Sequence, residues 1–183
     1  MNSTGLFQIN FVRWGFILGG VSIFFLVIFN SLLGVDWLIF NYFTGRLLMY
    51  IITFFILTKA ILERKKLNHG FISFSSSFLE GLFVFMIASI LKIAFEFTYL
   101  YAIYPESLII IRNATIETTK ELYRSMNITE KDISIFVKKV EAQDLSFGFI
   151  KVLFQLIFSF IVGVVISSII SLFTKKSRPM FDA

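Results

Sequence analysis

Residues 78–104 read FLEGLFVFMIASILKIAFEFTYLYAIY, an apolar stretch that carries Lys92 and Glu96 in its second half. A helix crosses a hydrocarbon core roughly 30 Å thick with about 20 apolar residues. We therefore predict that this stretch spans a membrane. A charge deep in the bilayer costs about 2.5–3.5 kcal/mol by insertion measurements. Because Lys92 and Glu96 lie one helical turn apart, they can pair within the helix. We expect the pair to face the interior of a helix bundle or a wet cavity, not lipid.

The composition of the whole chain favours a membrane protein. Of its 183 residues, 57% are hydrophobic and 25 are Phe, and the apolar residues lie in long blocks rather than in the periodic pattern of a soluble domain. The chain has no Cys and one His, so no metal site and no cofactor are expected. The net charge of +5 is attributed to membrane orientation and not to nucleic-acid binding.

Three more apolar blocks complete the predicted architecture. The chain is predicted to be a single all-α domain, an integral membrane four-helix bundle with spans at about 11–33, 46–62, 78–104 and 147–173. Residues 34–45 are predicted to form a turn between the first two spans. Ser77 is predicted to cap the third span, with Glu80 at capping-box spacing, which gives Glu80 a local role at the start of that helix.

The segment at about 105–146 is polar and mixed in charge, unlike the spans. Its apolar residues recur at helical spacing in two stretches, and Thr129 precedes Asp132 at the spacing of a helix N-cap. The segment is therefore predicted to form an amphipathic helical hairpin between spans 3 and 4, joined near Met126–Ile128.

Basic residues predict the orientation of the chain, since cytoplasmic flanks of spans collect Lys and Arg. One basic cluster follows the second span and another follows the fourth, so both are predicted on the cytoplasmic side together with the two termini. The helical hairpin is then extracytoplasmic. The predicted cytoplasmic basic anchors are Arg64, Lys65, Lys66, Lys175, Lys176 and Arg178.

This topology also places other polar residues at the depth of the charged pair. The predicted intramembrane polar cluster is Lys92, Glu96, Gln155, Lys151 and Arg46.

Small residues four apart are a second pattern, which lets helices approach closely in lipid. The predicted helix-packing small residues are Gly15 and Gly19 on the first span and Ser159, Gly163, Ser167 and Ser171 on the fourth.

Three interpretations of the charged pair stay open at this point. It is a structural polar network, a site for a partner's transmembrane helix or a lipid headgroup, or part of an ion or proton pathway. No catalytic residues are identified, because His69 lies in the basic loop and the chain has neither a pair of Asp ligands nor a Gly-rich phosphate-binding loop. The protein is therefore expected not to be an enzyme.

Four short motifs are distributed along the chain. They are Arg13-Trp-Gly15, Gly70-Phe-Ile-Ser-Phe74, Tyr104-Pro105-Glu106 and the Lys-Lys pair after an Ile/Ser-rich fourth span. In these motifs the chain resembles an uncharacterised family of four-span membrane proteins, a domain of unknown function found mainly in Bacteroidota. The resemblance implies a multi-pass protein of the bacterial inner (plasma) membrane. It brings no catalytic residues with it.

Two functions are compatible with these patterns. The first is a non-enzymatic accessory or interaction subunit of an inner-membrane complex, whose partners are membrane lipid and other membrane or periplasmic subunits. It would use the small-residue faces within the membrane and the amphipathic hairpin outside it. The alternative is a small ion or solute transporter or channel built on the Lys92 and Glu96 cluster.

Overall fold

The computed structural model describes residues 3–40, 45–142 and 148–176. Within these ranges every regular element is a helix, which confirms the predicted all-α class. The helices are α1 (Ser3–Phe40), α2 (Arg46–Leu67), α3 (Phe74–Thr98), which continues into a π-helical turn (Tyr99–Ile103), α4 (Ser107–Ser125), α5 (Glu130–Glu141) and α6 (Phe149–Thr174).

Helix α3 lies at the centre of the bundle. Helices α1 and α6 pack extensively against it, and α2 contacts all three. The apolar core between these helices includes Leu57 and Ile61 of α2 and Val84 of α3, each of which is fully buried. Residues 78–104 therefore belong to the helix on which the other long helices assemble.

Small residues allow the close approach of α1 and α6 to α3. A Cβ atom added to Gly15 would lie 2.7 Å from Ile87, and one added to Gly163 would lie 2.7 Å from the ring of Phe85. Real side chains do not reach such distances without displacing a neighbour, so glycine at these positions brings the helix backbones together.

In the described residues, three helical stretches are long and apolar enough to cross a membrane, namely Asn10–Ile28, Phe74–Ile103 and Phe149–Thr174. These stretches indicate a helical membrane protein. The second predicted span, 46–62, lies within α2, which also carries Lys59 and the charged residues 63–66. A crossing by α2 stays a prediction.

Several predicted boundaries are wrong. Helix α1 continues through Gly34 to Phe40, so the predicted turn does not begin at residue 34, and residues 41–44 lie outside the described ranges. Helix α3 begins at Phe74, one turn before its predicted start. Its N-cap is Ser73, whose extended backbone lets the hydroxyl accept from the Ser76 N–H at 3.2 Å. Ser77 is therefore not the cap but lies inside the helix, fully buried, 2.9 Å from the hydroxyl of Thr174.

The predicted helical segment at 105–146 contains α4 and α5, which pack against each other, while residues 143–147 lie outside the described ranges. The rings of Tyr123 and Phe136 lie 5.4 Å apart between these helices. Thr129 caps α5 as predicted, since its hydroxyl accepts from the Asp132 N–H at 3.3 Å. Helix α4 also contacts α1, which connects the segment to the bundle.

The two basic clusters meet at one end of the bundle. Ile72 and Lys176 form an antiparallel backbone bridge with N···O distances of 3.0 and 2.9 Å. Beside it, the Lys65 ammonium donates to the carbonyl oxygen of Thr174 at 2.8 Å. We call this region the basic end, comprising Arg64, Lys65, Lys66, Lys175 and Lys176. Arg178, the sixth predicted anchor, lies outside the described residues.

Candidate functional site

A cavity of about 200 Å³ lies between α1, α2, α3 and α6, in the half of the bundle away from the basic end. Each of the four helices contributes a hydroxyl group to its lining. These come from Ser22 of α1, Thr53 of α2, Ser89 of α3 and Ser159 of α6. Tyr50 also lines the cavity and is 41% exposed, so part of the lining reaches the surface of the bundle.

Lys92, Glu96 and Gln155 bring charge and an amide to this lining. The Gln155 amide donates to Oε2 of Glu96 at 3.1 Å, a bond that joins α6 to α3. The expected ion pair between Lys92 and Glu96 does not form among the described residues, since Glu96 is turned toward α6. The Lys92 side chain is exposed and has no hydrogen-bond or ion-pair partner in the described part of the chain.

The structure thus brings together three of the five residues of the predicted polar cluster. Lys151 lies one turn before Gln155 on α6, is exposed, and is outside the cavity lining. Arg46 begins α2, but its side chain lies outside the described residues. Matching residues by their depth along the helices predicted the contact between Glu96 and Gln155. Depth does not specify the face of a helix, and Lys151 lies at a position of α6 outside the lining.

Several of the predicted small residues of α1 and α6 lie at contacts with α3. Added Cβ atoms at Gly15 and Gly19 would meet Ile87 and Leu91, respectively. Ser167 lies against Gly81, and Ser171 is fully buried one turn further along the same face of α6. Ser159 differs from the other members of the stripe, since it lines the cavity.

A second polar layer lies nearer the basic end and centres on Glu80, which is fully buried. The Asn10 amide donates both to the Glu80 carboxyl group and, at 3.2 Å, to the carbonyl oxygen of Ala60. Asn10 therefore connects α1, α2 and α3. The predicted capping role of Glu80 is wrong because α3 begins at Phe74, which places residue 80 well inside the helix.

The sequence contains one signal for this second layer. Ser77, Glu80, Gly81, Val84 and Ala88 follow helical spacing, and all five are buried in the structure. A carboxyl group on the same stripe as small packing residues predicts burial at a helix interface. The serine-rich sequence SFSSS at residues 73–77 instead suggested a later helix start and a cap.

Glu63 connects α1 and α2 beside this layer. Its Oε2 accepts from the Arg13 guanidinium at 2.5 Å and from the Trp14 indole at 2.7 Å. The Arg13 guanidinium also lies 5.3 Å from the centre of the Trp14 ring. Together with the contact of Gly15 with Ile87, these bonds give each residue of the Arg13-Trp-Gly15 motif a place in the packing of α1.

The chemistry of the cavity is that of a binding site. An ammonium group, a carboxylate, an amide and several hydroxyl groups provide donors and acceptors on a lining that also contains Leu18, Phe85 and Phe158. Apolar walls with a few placed polar groups are typical of small-molecule sites. In the described part of the chain, no three His, Asp or Glu side chains are arranged to hold a metal ion.

The fold and the cavity define a class: an all-helical membrane protein organised on one central helix with a charged cavity beside it. Residues 13–176 match the family described as "Protein of unknown function (DUF4199)", and the chain belongs to this family. No curated protein and no solved structure matches the chain. The resemblance to an uncharacterised family is thus confirmed at the family level, while its four-span and Bacteroidota features stay predictions.

Proposed function

We propose that this protein binds a small polar solute in the cavity between α1, α2, α3 and α6 and moves it across the membrane without chemical conversion. The observation that carries the proposal is that two residues of opposite charge line the cavity without pairing with each other. Lys92 and Glu96 line one cavity of about 200 Å³ and do not neutralise each other. Of the two functions compatible with the sequence, this is the transporter or channel.

The energetics of the two charges favour a solvated or occupied cavity. A charge in the middle of a bilayer costs about 2.5–3.5 kcal/mol even on the mildest scale. Residues four apart on a helix reduce that cost by pairing directly, yet Glu96 binds Gln155 and Lys92 has no partner among the described residues. Water or a solute must therefore stabilise the ammonium group, which is what a binding site for a polar molecule requires.

The proposed membrane arrangement has four spans, with α2 as the second. The basic end then faces the cytoplasm by the positive-inside rule, and both termini lie on that side. The cavity lies in the outer half of the bundle, and α4 and α5 lie outside the membrane. We place the protein in the inner membrane of a bacterium, where membrane lipid surrounds the bundle.

An accessory role in a membrane complex is the second candidate. Its support is a set of exposed apolar side chains on the α4–α5 segment, outside the three apolar stretches. Gly15, Gly19 and Gly163 are in contact with α3, so these small residues are not free for a partner, and the proposed partner contact is the α4–α5 segment. The exposed apolar residues are Ile109 (50%), Leu122 (53%), Met126 (63%) and Ile135 (55%).

Swelling of proteoliposomes tests transport with a panel of small solutes of different charge. The purified chain is reconstituted, the vesicles are placed in iso-osmotic glycine, glycerol, sodium acetate or methylammonium chloride, and light scattering reports solute entry. We expect at least one solute to enter faster than into protein-free vesicles, and Lys92→Met and Glu96→Gln to abolish the gain. Lys59→Met is the matched control, because Lys59 is an exposed lysine of α2 outside the cavity lining.

The accessory role has its own test. Purification in mild detergent followed by mass spectrometry would then show a stoichiometric membrane or periplasmic protein, which Ile135→Glu releases and the exposed-surface control Lys131→Glu retains. Entry rates equal to those of empty vesicles for every solute, together with such a partner, would replace the transport proposal by the accessory one.

A further inference from the structure

We propose that the solute held in this cavity is a small zwitterion, a molecule of amino-acid size that carries one carboxylate and one ammonium group. This inference rests on the proposed function and names its substrate class. It follows from the sign, the spacing and the hydrogen-bonding state of the groups in the lining.

The lining presents one group of each sign on consecutive turns of α3. The Lys92 ammonium has no partner among the described residues, so it is available to a carboxylate. Oε2 of Glu96 accepts a hydrogen bond from the Gln155 amide. Oε1 of Glu96 accepts no bond from the described residues, so it is available to an ammonium group. A bound zwitterion would form an ion pair with each of these two side chains, which form none with each other.

Charge balance selects a zwitterion over a simple ion. An anion bound to Lys92 would leave the Glu96 carboxylate uncompensated, and a cation bound to Glu96 would do the same to Lys92. A bound ligand displaces the water that surrounds these groups in the solvated cavity, so a charge left unpaired beside it is strongly unfavourable. A ligand that carries both charges neutralises both side chains and brings no net charge into the membrane.

The size and polarity of the rest of the cavity agree with this class. Its volume of about 200 Å³ is many times the roughly 10–15 Å³ that a cavity needs to hold one water molecule. This leaves room for a molecule of a few heavy atoms. Ser89 and Thr53 offer hydroxyl groups near the charged residues, while Leu18 and Phe158 offer apolar contacts to a short aliphatic chain.

Thermal unfolding of the purified full-length chain in detergent tests the inference. A ligand that binds the folded state raises the midpoint by an amount that grows with its affinity. We expect glycine, L-alanine, β-alanine or 4-aminobutyrate, which differ in charge separation, to raise it in a saturable manner. Sodium acetate and methylammonium chloride, at equal ionic strength, should have no more effect than sodium chloride.

Variants assign the effect to the cavity. Lys92→Met and Glu96→Gln should each weaken the binding of the best zwitterion at least tenfold, while Lys59→Met should leave it unchanged. If a cavity variant does not fold, the comparison of zwitterions with single ions on the wild-type chain still decides the question. The contrast between ligand classes does not depend on any substitution.

Three outcomes would overturn the inference. Binding of acetate or methylammonium as tight as that of every zwitterion would assign the site to a simple ion, and the transport proposal would survive. A midpoint raised by phosphatidylethanolamine in mixed micelles but by no amino acid would assign the same chemistry to a lipid headgroup. No effect of any ligand, together with no solute entry into proteoliposomes, would remove both the substrate class and the proposed function.

Discussion

The close contact between α3 and α6 at Gly81 leads to a quantitative prediction for Gly81→Ala. A Cβ atom at this position would lie 2.9 Å from Oγ and 3.2 Å from Cβ of Ser167, and 3.3 Å from Cδ1 of Ile61. Both neighbours are fully buried, so neither has free space into which to move. We expect the added methyl group to force α6 away from α3.

The magnitude follows from two opposing effects. Overpacking a well-packed interior costs about 1–3 kcal/mol, whereas replacing glycine by alanine within a helix gains about 0.5–1 kcal/mol. The net expectation for Gly81→Ala is a loss of about 0–2.5 kcal/mol, against a gain of about 0.5–1 kcal/mol where the added methyl group meets nothing. Gly20→Ala is the matched control, because an added Cβ there meets nothing within 4 Å, so only the gain should appear.

A double-mutant cycle in detergent micelles measures this effect by unfolding with increasing SDS. Ser167→Ala removes the nearest atom, and since that hydroxyl has no hydrogen-bond partner among the described residues, the single change should be close to neutral. Combined with Gly81→Ala, it should restore part of the lost free energy of unfolding. Equal free energies of unfolding for Gly81→Ala and Gly20→Ala would show that α3 and α6 are not overpacked at Gly81. The same follows if Ser167→Ala restores none of the free energy lost in Gly81→Ala.

Three further predictions address other parts of the molecule. Asn10→Leu removes the donor to the buried Glu80 and should lower the free energy of unfolding by about 1–3 kcal/mol, measured by the same SDS titration; an unchanged stability would contradict the second polar layer. Thr129→Ala removes the cap of α5 and should cost about 1 kcal/mol, seen as faster hydrogen exchange confined to the α4–α5 segment; exchange that rises equally in α3 would contradict this. Replacing Lys66 and Lys175 by Gln should weaken binding of phosphatidylglycerol relative to phosphatidylcholine by about 1 kcal/mol per charge, read by native mass spectrometry; an unaltered preference would show that the basic end does not contact anionic lipid.

The helical class and the regions of the long helices follow from the sequence because they depend on local properties. An apolar block of membrane length forms a helix regardless of which helices pack against it, because its backbone must satisfy its own hydrogen bonds in lipid. The cap at Thr129 is equally local and is confirmed. The small residues of α1 and α6 mark where backbones approach, and the structure places Gly15 and Gly163 against α3.

The errors arise where distant contacts decide the outcome. Asn10 and Glu80 are 70 residues apart, and nothing in either local stretch indicates the other. Glu96 accepts a hydrogen bond from Gln155 on another helix, a contact that the local spacing of Lys92 and Glu96 does not show. The predicted pair between Lys92 and Glu96 therefore does not form. The predicted turn begins at Gly34, but α1 continues past this residue to Phe40 and contacts α4.

Cysteine accessibility at Ser89 tests directly whether the cavity beside α3 is an aqueous site for a solute. The chain has no Cys, so Ser89→Cys provides a single thiol in the cavity lining, and Ala60→Cys provides a fully buried control. We predict that a charged, membrane-impermeant methanethiosulfonate modifies Ser89→Cys in the folded protein and leaves Ala60→Cys unmodified. If Ser89→Cys reacts only after denaturation, as Ala60→Cys should, the cavity does not admit water. This result would contradict the proposed solute site.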